Sequence, residues 1–208
     1  MNKSKIYSVK ELIGKSDIAL YGKGYKLQKE AYLALEKMRK EARRQGVKIR
    51  VISAYRDFDH QNKIWKRKYK KFIAKGFSSK GAVKKVKEYT AIPGTSRHHW
   101  GTDVDLSNGE TRFTNHKRNK FTNWMDSNAH KFGYYRVYTN NKLRSGYNYE
   151  SWHYSYRKLA KPMLEQYIKL DIIKELRKQK IKGNKYFTNA FLNKYIENHV
   201  LGINDYLY

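Results

Sequence analysis

No cysteine occurs among the 208 residues, which excludes a disulfide framework and any thiolate ligand for a metal. That absence is compatible with an oxidising envelope without demonstrating one. No run is apolar enough to read as a transmembrane span, and the polar residues 1–10 lack the apolar core of a secretory signal. Either the chain works inside the cell or a leader is absent from it. No second domain, internal repeat or Gly/Ser linker shows in the tail, so the simplest organisation is one domain over 1–208, with a helical C-terminal extension from about residue 159 packed on it. No RNP, zinc-finger or helix-turn-helix pattern is present, and no specific nucleic acid is expected as a partner.

Acidic residues are scarce: 18 Asp and Glu stand against 46 Lys and Arg, a formal charge of +28. Lysines run through nearly every segment, so the excess is more than one solvated helix face. Nucleic acid, acidic lipid headgroups and the anionic polymers of a cell wall would all attract such a chain, and charge alone does not choose among them. Biased composition explains the lysines equally well. The hydrophobic content of 39% is ordinary for a globular fold of this length.

Two segments carry chemistry. Ser96-Arg97-His98-His99-Trp100-Gly101-Thr102-Asp103-Val104-Asp105 and Glu150-Ser151-Trp152-His153 together hold two imidazoles at candidate ligand positions, carboxylates, and a spare carboxylate. A catalytic zinc ion usually keeps three protein ligands and leaves its fourth position to water. Neutral imidazoles and one ionised Asp would leave the site net positive, enough to draw the pKa of bound water towards about 7. Glu150, three positions before His153, is placed to act as general base. Gly101 puts backbone where a side chain would block the metal. The run 102–106 reads as a strand with Thr102, Val104 and Leu106 on one face and Asp103 and Asp105 on the other, so alternation alone allows either carboxylate as ligand.

Ser96, His98, Gly101 and Asp105, followed by Glu150, Trp152 and His153, resemble the signature of the zinc D-alanyl-D-alanine carboxypeptidases of the VanY and L,D-carboxypeptidase type. Ser53-Ala54-Tyr55-Arg56 with Gln61 is similar to that family's substrate-binding segment, so the resemblance runs from roughly Val51 to Tyr156. It implies that His98, Asp105 and His153 hold one Zn2+, that Glu150 is the base, and that Arg56 faces the substrate near the scissile bond. A planar, permanently charged fork suits either a terminal carboxylate or a developing oxyanion. Ser96 and Gln61 match positions that hydrogen-bond the peptide, and Trp152 is expected as pocket wall. One departure stands out: Asp103 occupies a place where the family usually has a small residue. His99 is expected as a support to the ligands or as pocket lining, and His60, His116, His130 and His199 as structural residues.

The implied fold is α+β, a small, mainly antiparallel sheet carrying the site, with helices packed on one face and around the edges. Periodicity supplies the elements: a helix over 24–44 on Leu27, Ala31, Leu35, Met38 and Ala42; a strand over 47–51; a helix buried through Ile64, Trp65, Phe72 and Ile73; a basic helix over 79–89; and a turn at 92–94. A loop over 108–120, a helix around 121–129, a strand over 134–138, a hairpin connection over 139–148 and a strand around 152–156 follow. Residues 159–173 and 184–200 read as helical, and 174–182 either breaks them or continues the first. The implied function is removal of the C-terminal D-alanine from peptidoglycan stem peptides by a monomeric enzyme in the periplasm or cell envelope of a bacterium, with D-Ala-D-Ala favoured. The alternatives are an L,D-carboxypeptidase or peptidoglycan endopeptidase with the same metal site, and a non-catalytic basic protein that binds cell wall or nucleic acid. A peptidoglycan substrate favours an absent leader over an intracellular location.

Overall fold

The computed structural model describes residues 6–109 and 119–208. Most of the expected loop over 108–120, and His116 with it, lies outside the described residues. Four strands, β1 (Arg50–Ser53), β2 (Asp103–Ser107), β3 (Tyr134–Arg136) and β4 (His153–Tyr156), form one antiparallel sheet in the order β1-β2-β4-β3. The alternation expected of β2 is realised. Val104 and Leu106, with Tyr154 and Tyr156 of β4, face a core built with α2 (Lys29–Arg44) and α5 (Lys120–Asn128). The opposite face carries polar residues at both central strands, because Asp103 pairs with Ser155 and Asp105 with His153 in the ladder.

In α2, Ala31, Leu35, Met38 and Ala42 recur every three or four residues and are buried along one stripe. The helix begins five residues later than its apolar pattern predicts. Tyr21 and Leu27 form an antiparallel bridge, and Gly24, at φ 81, holds a left-handed turn inside it, so Leu27 reaches the core from extended chain. β1 also starts late. Val47 and Ile49 are buried as their alternation requires, but the ladder opens only at Arg50, whose partner Ser107 is the last residue of β2.

A second core gathers Phe58 and Trp65 of α3 (Phe58–Ala74), Val83 and Val86 of α4 (Ser79–Lys87), and the apolar residues of the tail, with Ile92 and Trp100 between them. The tail is more broken than its pattern predicts. α6 (Arg157–Lys169) stops at extended Leu170, and Asp171 caps α7 (Ile172–Arg177) by accepting from Lys174 N at 3.0 Å. α8 (Asn189–Tyr195) starts on a Thr188 cap and runs into a π turn over 196–200. A short helix that periodicity does not reveal, α1 (Val9–Leu12), stands on a capping box of Ser8 and Glu11 and buries Leu12. Among the described residues no helix is long and apolar enough to cross a membrane.

Candidate metal centre

Three separate pieces of backbone converge on the polar face of the sheet. His98 sits on a tight 3-10 turn, Arg97–Trp100, closed by Gly101 at φ 66. A Cβ on Gly101 would lie 3.1 Å from Leu20 and 3.3 Å from Gln28. The glycine therefore serves its left-handed backbone and its contact with Gln28, and the expected clearance for a metal is not its reason. Asp105 and His153 face each other across β2 and β4. The His98 and His153 rings stack at 4.8 Å between centroids, and His98 Nε2 stands 3.5 Å from Asp105 Oδ2. One ligand atom from each of His98, Asp105 and His153 lies within 4.8 Å of the others, and all three residues are buried.

Hydrogen bonds aim both rings. His98 Nδ1–H donates to the Ala54 carbonyl at 2.7 Å, which leaves the Nε2 lone pair towards Asp105. His153 Nε2–H donates to Asp103 Oδ2 at 2.9 Å, and its Nδ1 lies 3.2 Å from Glu150 Oε2. Asp103 has no capacity left for a metal. Its Oδ2 also accepts from Arg97 Nε at 3.1 Å, and its Oδ1 accepts from Ser155 Oγ at 2.7 Å and Thr102 Oγ1 at 2.8 Å. The two carboxylates that alternation left equivalent thus divide, with Asp105 in the ligand group and Asp103 behind His153.

The charges follow from these contacts. Burial would raise the pKa of Asp103, yet Arg97 and His153 hold it far below the ordinary carboxylate range. Burial also works against ionised Asp105, and its neighbours, the charged His153 and Arg56 among them, outweigh that, leaving the carboxyl lowered. His98 is lowered by burial and then by the Arg56 charge, so it is neutral with a free lone pair. For His153 burial pulls down, but the hydrogen bonds to Asp103 and Glu150 win and raise it to about 9. Two imidazoles and one carboxylate, with nearby Glu150 outside the group, make a donor set that fits a single zinc ion with one open position.

Beside this group opens a cavity of about 680 Å³. Arg56, Gln61, Ser96, Glu150 and Trp152 all line it, so the residues expected from the sequence to act on or hold a substrate share one space. Gln61 donates Nε2 to the Ala91 carbonyl at 2.8 Å, and its buried Oε1 has no hydrogen-bond partner among the described residues. Burial lowers the pKa of Arg56, opposed by Asp105 and Glu150, and its guanidinium remains charged. His99 is fully buried and does not line the cavity. Its Nδ1–H donates to the Arg56 carbonyl at 2.6 Å and its Nε2 accepts from Gly94 N at 3.0 Å, which pins the backbone of Arg56. Burial first, then the Arg56 charge, lowers its pKa to about 3, so it is a neutral tie. His60 reaches the cavity edge from α3, while His130 is exposed and His199 stacks on Tyr195 at 4.5 Å.

Sequence reasoning missed the supports of the site. Arg97 and Ser155, both buried, fasten Asp103, and Arg97 lies over the Trp100 ring at 4.6 Å. A signal for Ser155 was present, since it stands two residues after His153 in one strand and must share its face. Tyr138 and Tyr147 form another wall of the cavity, and the Tyr147 hydroxyl meets that of Tyr195 in α8 at 2.7 Å.

A small antiparallel sheet thus turns two imidazoles, one carboxylate and, beside them, the Glu150 carboxylate towards one cavity, an arrangement suited to holding a single zinc ion. The family model described as VanY, D-alanyl-D-alanine carboxypeptidase, matches residues 24–159, and the chain belongs to that family. It is 35% identical over 116 residues to a D-alanyl-D-alanine carboxypeptidase of Enterococcus faecalis, an overlap of 55% of this chain and 42% of that protein. The fold is similar to that of VanYB in complex with D-alanine-D-alanine, with 28% identity and a TM-score of 0.60 over 80% of this chain and 92% of that one. It is also similar to a variant of the vancomycin resistance D,D-pentapeptidase VanY in complex with Zn(II), with 28% identity and a TM-score of 0.58 over 77% and 89% of the two chains. The chain spans about half the length of the curated relatives it matches.

Proposed function

We propose that this chain is a zinc-dependent carboxypeptidase that removes the C-terminal D-alanine from peptidoglycan stem peptides, with D-Ala-D-Ala the favoured terminus. The observation that carries the reading is the convergence of His98, Asp105 and His153 to within 4.8 Å, with Glu150 at 3.2 Å from the His153 ring and outside that group. His98 through Nε2, His153 through Nδ1 and Asp105 through its carboxylate would hold the ion. When bound there, zinc supplies a Lewis acid that polarises the scissile carbonyl and acidifies water.

The protein's own groups perform the remaining work. Glu150 takes the proton from the attacking water and returns it to the departing amine of D-alanine. Arg56, fixed by its backbone bonds to His98 and His99, offers a charge to the oxyanion or to the terminal carboxylate. Ser96 and the unpaired Oε1 of Gln61 hydrogen-bond the peptide, and Trp152 forms a wall against it. Asp103 fixes the His153 ring, with Arg97 neutralising it.

Residues 1–208 act on this reading as one peptidase domain. Support comes from the tail beyond about residue 159: Tyr195 joins Tyr147 and also accepts from Ile92 N at 3.2 Å, close to the metal-binding turn. The enzyme works as a monomer outside the cytoplasm, in the bacterial envelope, where its charge of +28 draws it to anionic polymers. Incubation of zinc-loaded protein with defined muropeptides tests the activity. Free D-alanine is the expected product, and release of larger peptide fragments instead would make the enzyme an endopeptidase.

A further inference from the structure

One face of α3 looks into the cavity. His60, Gln61, Ile64, Arg67 and Lys68 fall on it at helical spacing, while Phe58 and Trp65 of the same helix are buried in the core. The near part of this face belongs to the site already described, through Gln61. The far part holds two cations. Lys68 is half-buried, and its ammonium donates to the Thr90 hydroxyl at 2.5 Å, so among the described residues one of its three donors is used, and by a neutral acceptor. Arg67 is exposed at the rim. Among the described residues neither makes an ion pair.

The charge of the cavity wall is lopsided. Its carboxylates, Asp105 and Glu150, stand at the metal group, and Arg97 is matched by Asp103. Arg56, Arg67 and Lys68 remain as cations with no carboxylate of their own within ion-pair distance among the described residues. Burial and then the neighbouring charges of Arg56 and Arg67 lower the pKa of Lys68, a cost that an incoming anion would relieve. The single carboxylate at the end of a peptide answers one such cation and leaves the far pair unmatched.

We infer that Arg67 and Lys68 form an anion subsite that takes a second carboxylate of the peptide, upstream of its reacting end. Lys68 lies seven positions beyond Gln61, a rise of about 10 Å along the helix, which an extended peptide covers in about three residues. The preferred substrates are therefore acidic peptides with a free carboxylate one to three positions before the terminal pair. This inference rests on the carboxypeptidase reading and extends it to the choice among substrates.

The test uses zinc-loaded full-length protein and matched acetylated peptides ending in D-Ala-D-Ala, with Glu or Gln at each of the three preceding positions. At one position, kcat/KM for the Glu peptide should exceed that for its Gln twin by about tenfold, the weight of one charge-assisted contact in a partly solvated site. In Lys68→Met, and more weakly in Arg67→Gln, that ratio should collapse towards one. Because both rates are read on one protein sample, the ratio is insensitive to the folded fraction. No Glu preference at any position, or a preference that survives in both variants, overturns the subsite. If wild-type protein releases D-alanine from none of the peptides, the carboxypeptidase reading has failed. The subsite is then judged by calorimetric binding of the same peptides to Glu150→Ala, where tighter binding of a Glu peptide supports it and equal binding overturns it.

Discussion

Removing Asp103 separates the two roles its contacts give it. Its carboxylate is fully buried and is ion-paired at 3.1 Å with the equally buried Arg97, while it also accepts from His153 at 2.9 Å. Asp103→Ala strands a guanidinium in the interior, and loss of one partner of such a pair costs about 3–5 kcal/mol. For a chain of this length that is a fall of about 6–20 °C in Tm. Chemical denaturation of metal-free protein in chelator reads the effect without contribution from bound ion. Arg97→Met combined with Asp103→Ala removes the stranded charge and keeps apolar contact with Trp100, so the double variant should recover to within about 2 kcal/mol of wild type. Zinc affinity should behave differently. In both the single and the double variant His153 has lost the acceptor that orients it, and affinity should drop about 10- to 100-fold. A single variant within about 1 kcal/mol of wild type, or a double variant no more stable than the single, would refute the pairing argument.

Arg56→Ala should lower kcat by about 10²- to 10³-fold if its charge meets the oxyanion, as measured by D-alanine release. Glu150→Ala should abolish hydrolysis while zinc content stays at one ion per chain; undiminished turnover would remove Glu150 from the mechanism. His153, raised to about 9 without metal, is doubly protonated at pH 7, whereas His98 is the neutral imidazole and Asp105 the carboxylate. Zinc uptake at pH 7 should therefore release at least one proton, that of His153, with any further release coming from water at the ion, as read by calorimetry in buffers of different ionisation enthalpy; uptake without proton release would contradict the His153 assignment. Gly101→Ala forces an L side chain to φ 66 and presses on Gln28, so it should destabilise by about 1–2 kcal/mol in thermal denaturation.

The sheet was legible where side chains alternate strictly. Val104 and Leu106 against Asp103 and Asp105 defined β2 and its two faces, and the stripe in α2 defined the helix packed beneath. Strand limits were not legible, because they depend on where the partner ends: Val47 and Ile49 alternate correctly, but β2 has no residue left to pair with them. The break after α6 was missed because the apolar residues continue through Ile172 and Ile173, while the decisive signal is one capping side chain, Asp171. The convergent group of His98, Asp105 and His153 was readable, since its residue types and spacings are those the resemblance supplies. Its supports were harder to see. Arg97 looks like one more surface cation in a chain with 46 Lys and Arg, and only the fold shows it buried against Asp103. Lys68 and Arg67 were hidden among lysines for the same reason.

Anomalous diffraction at the zinc edge from crystals of zinc-loaded protein tests the central claim most directly. A single strong peak should appear about 2.0–2.2 Å from His98 Nε2, His153 Nδ1 and the Asp105 carboxylate, with Glu150 outside the coordination sphere. A peak on Asp103, or one away from these three side chains, would contradict it.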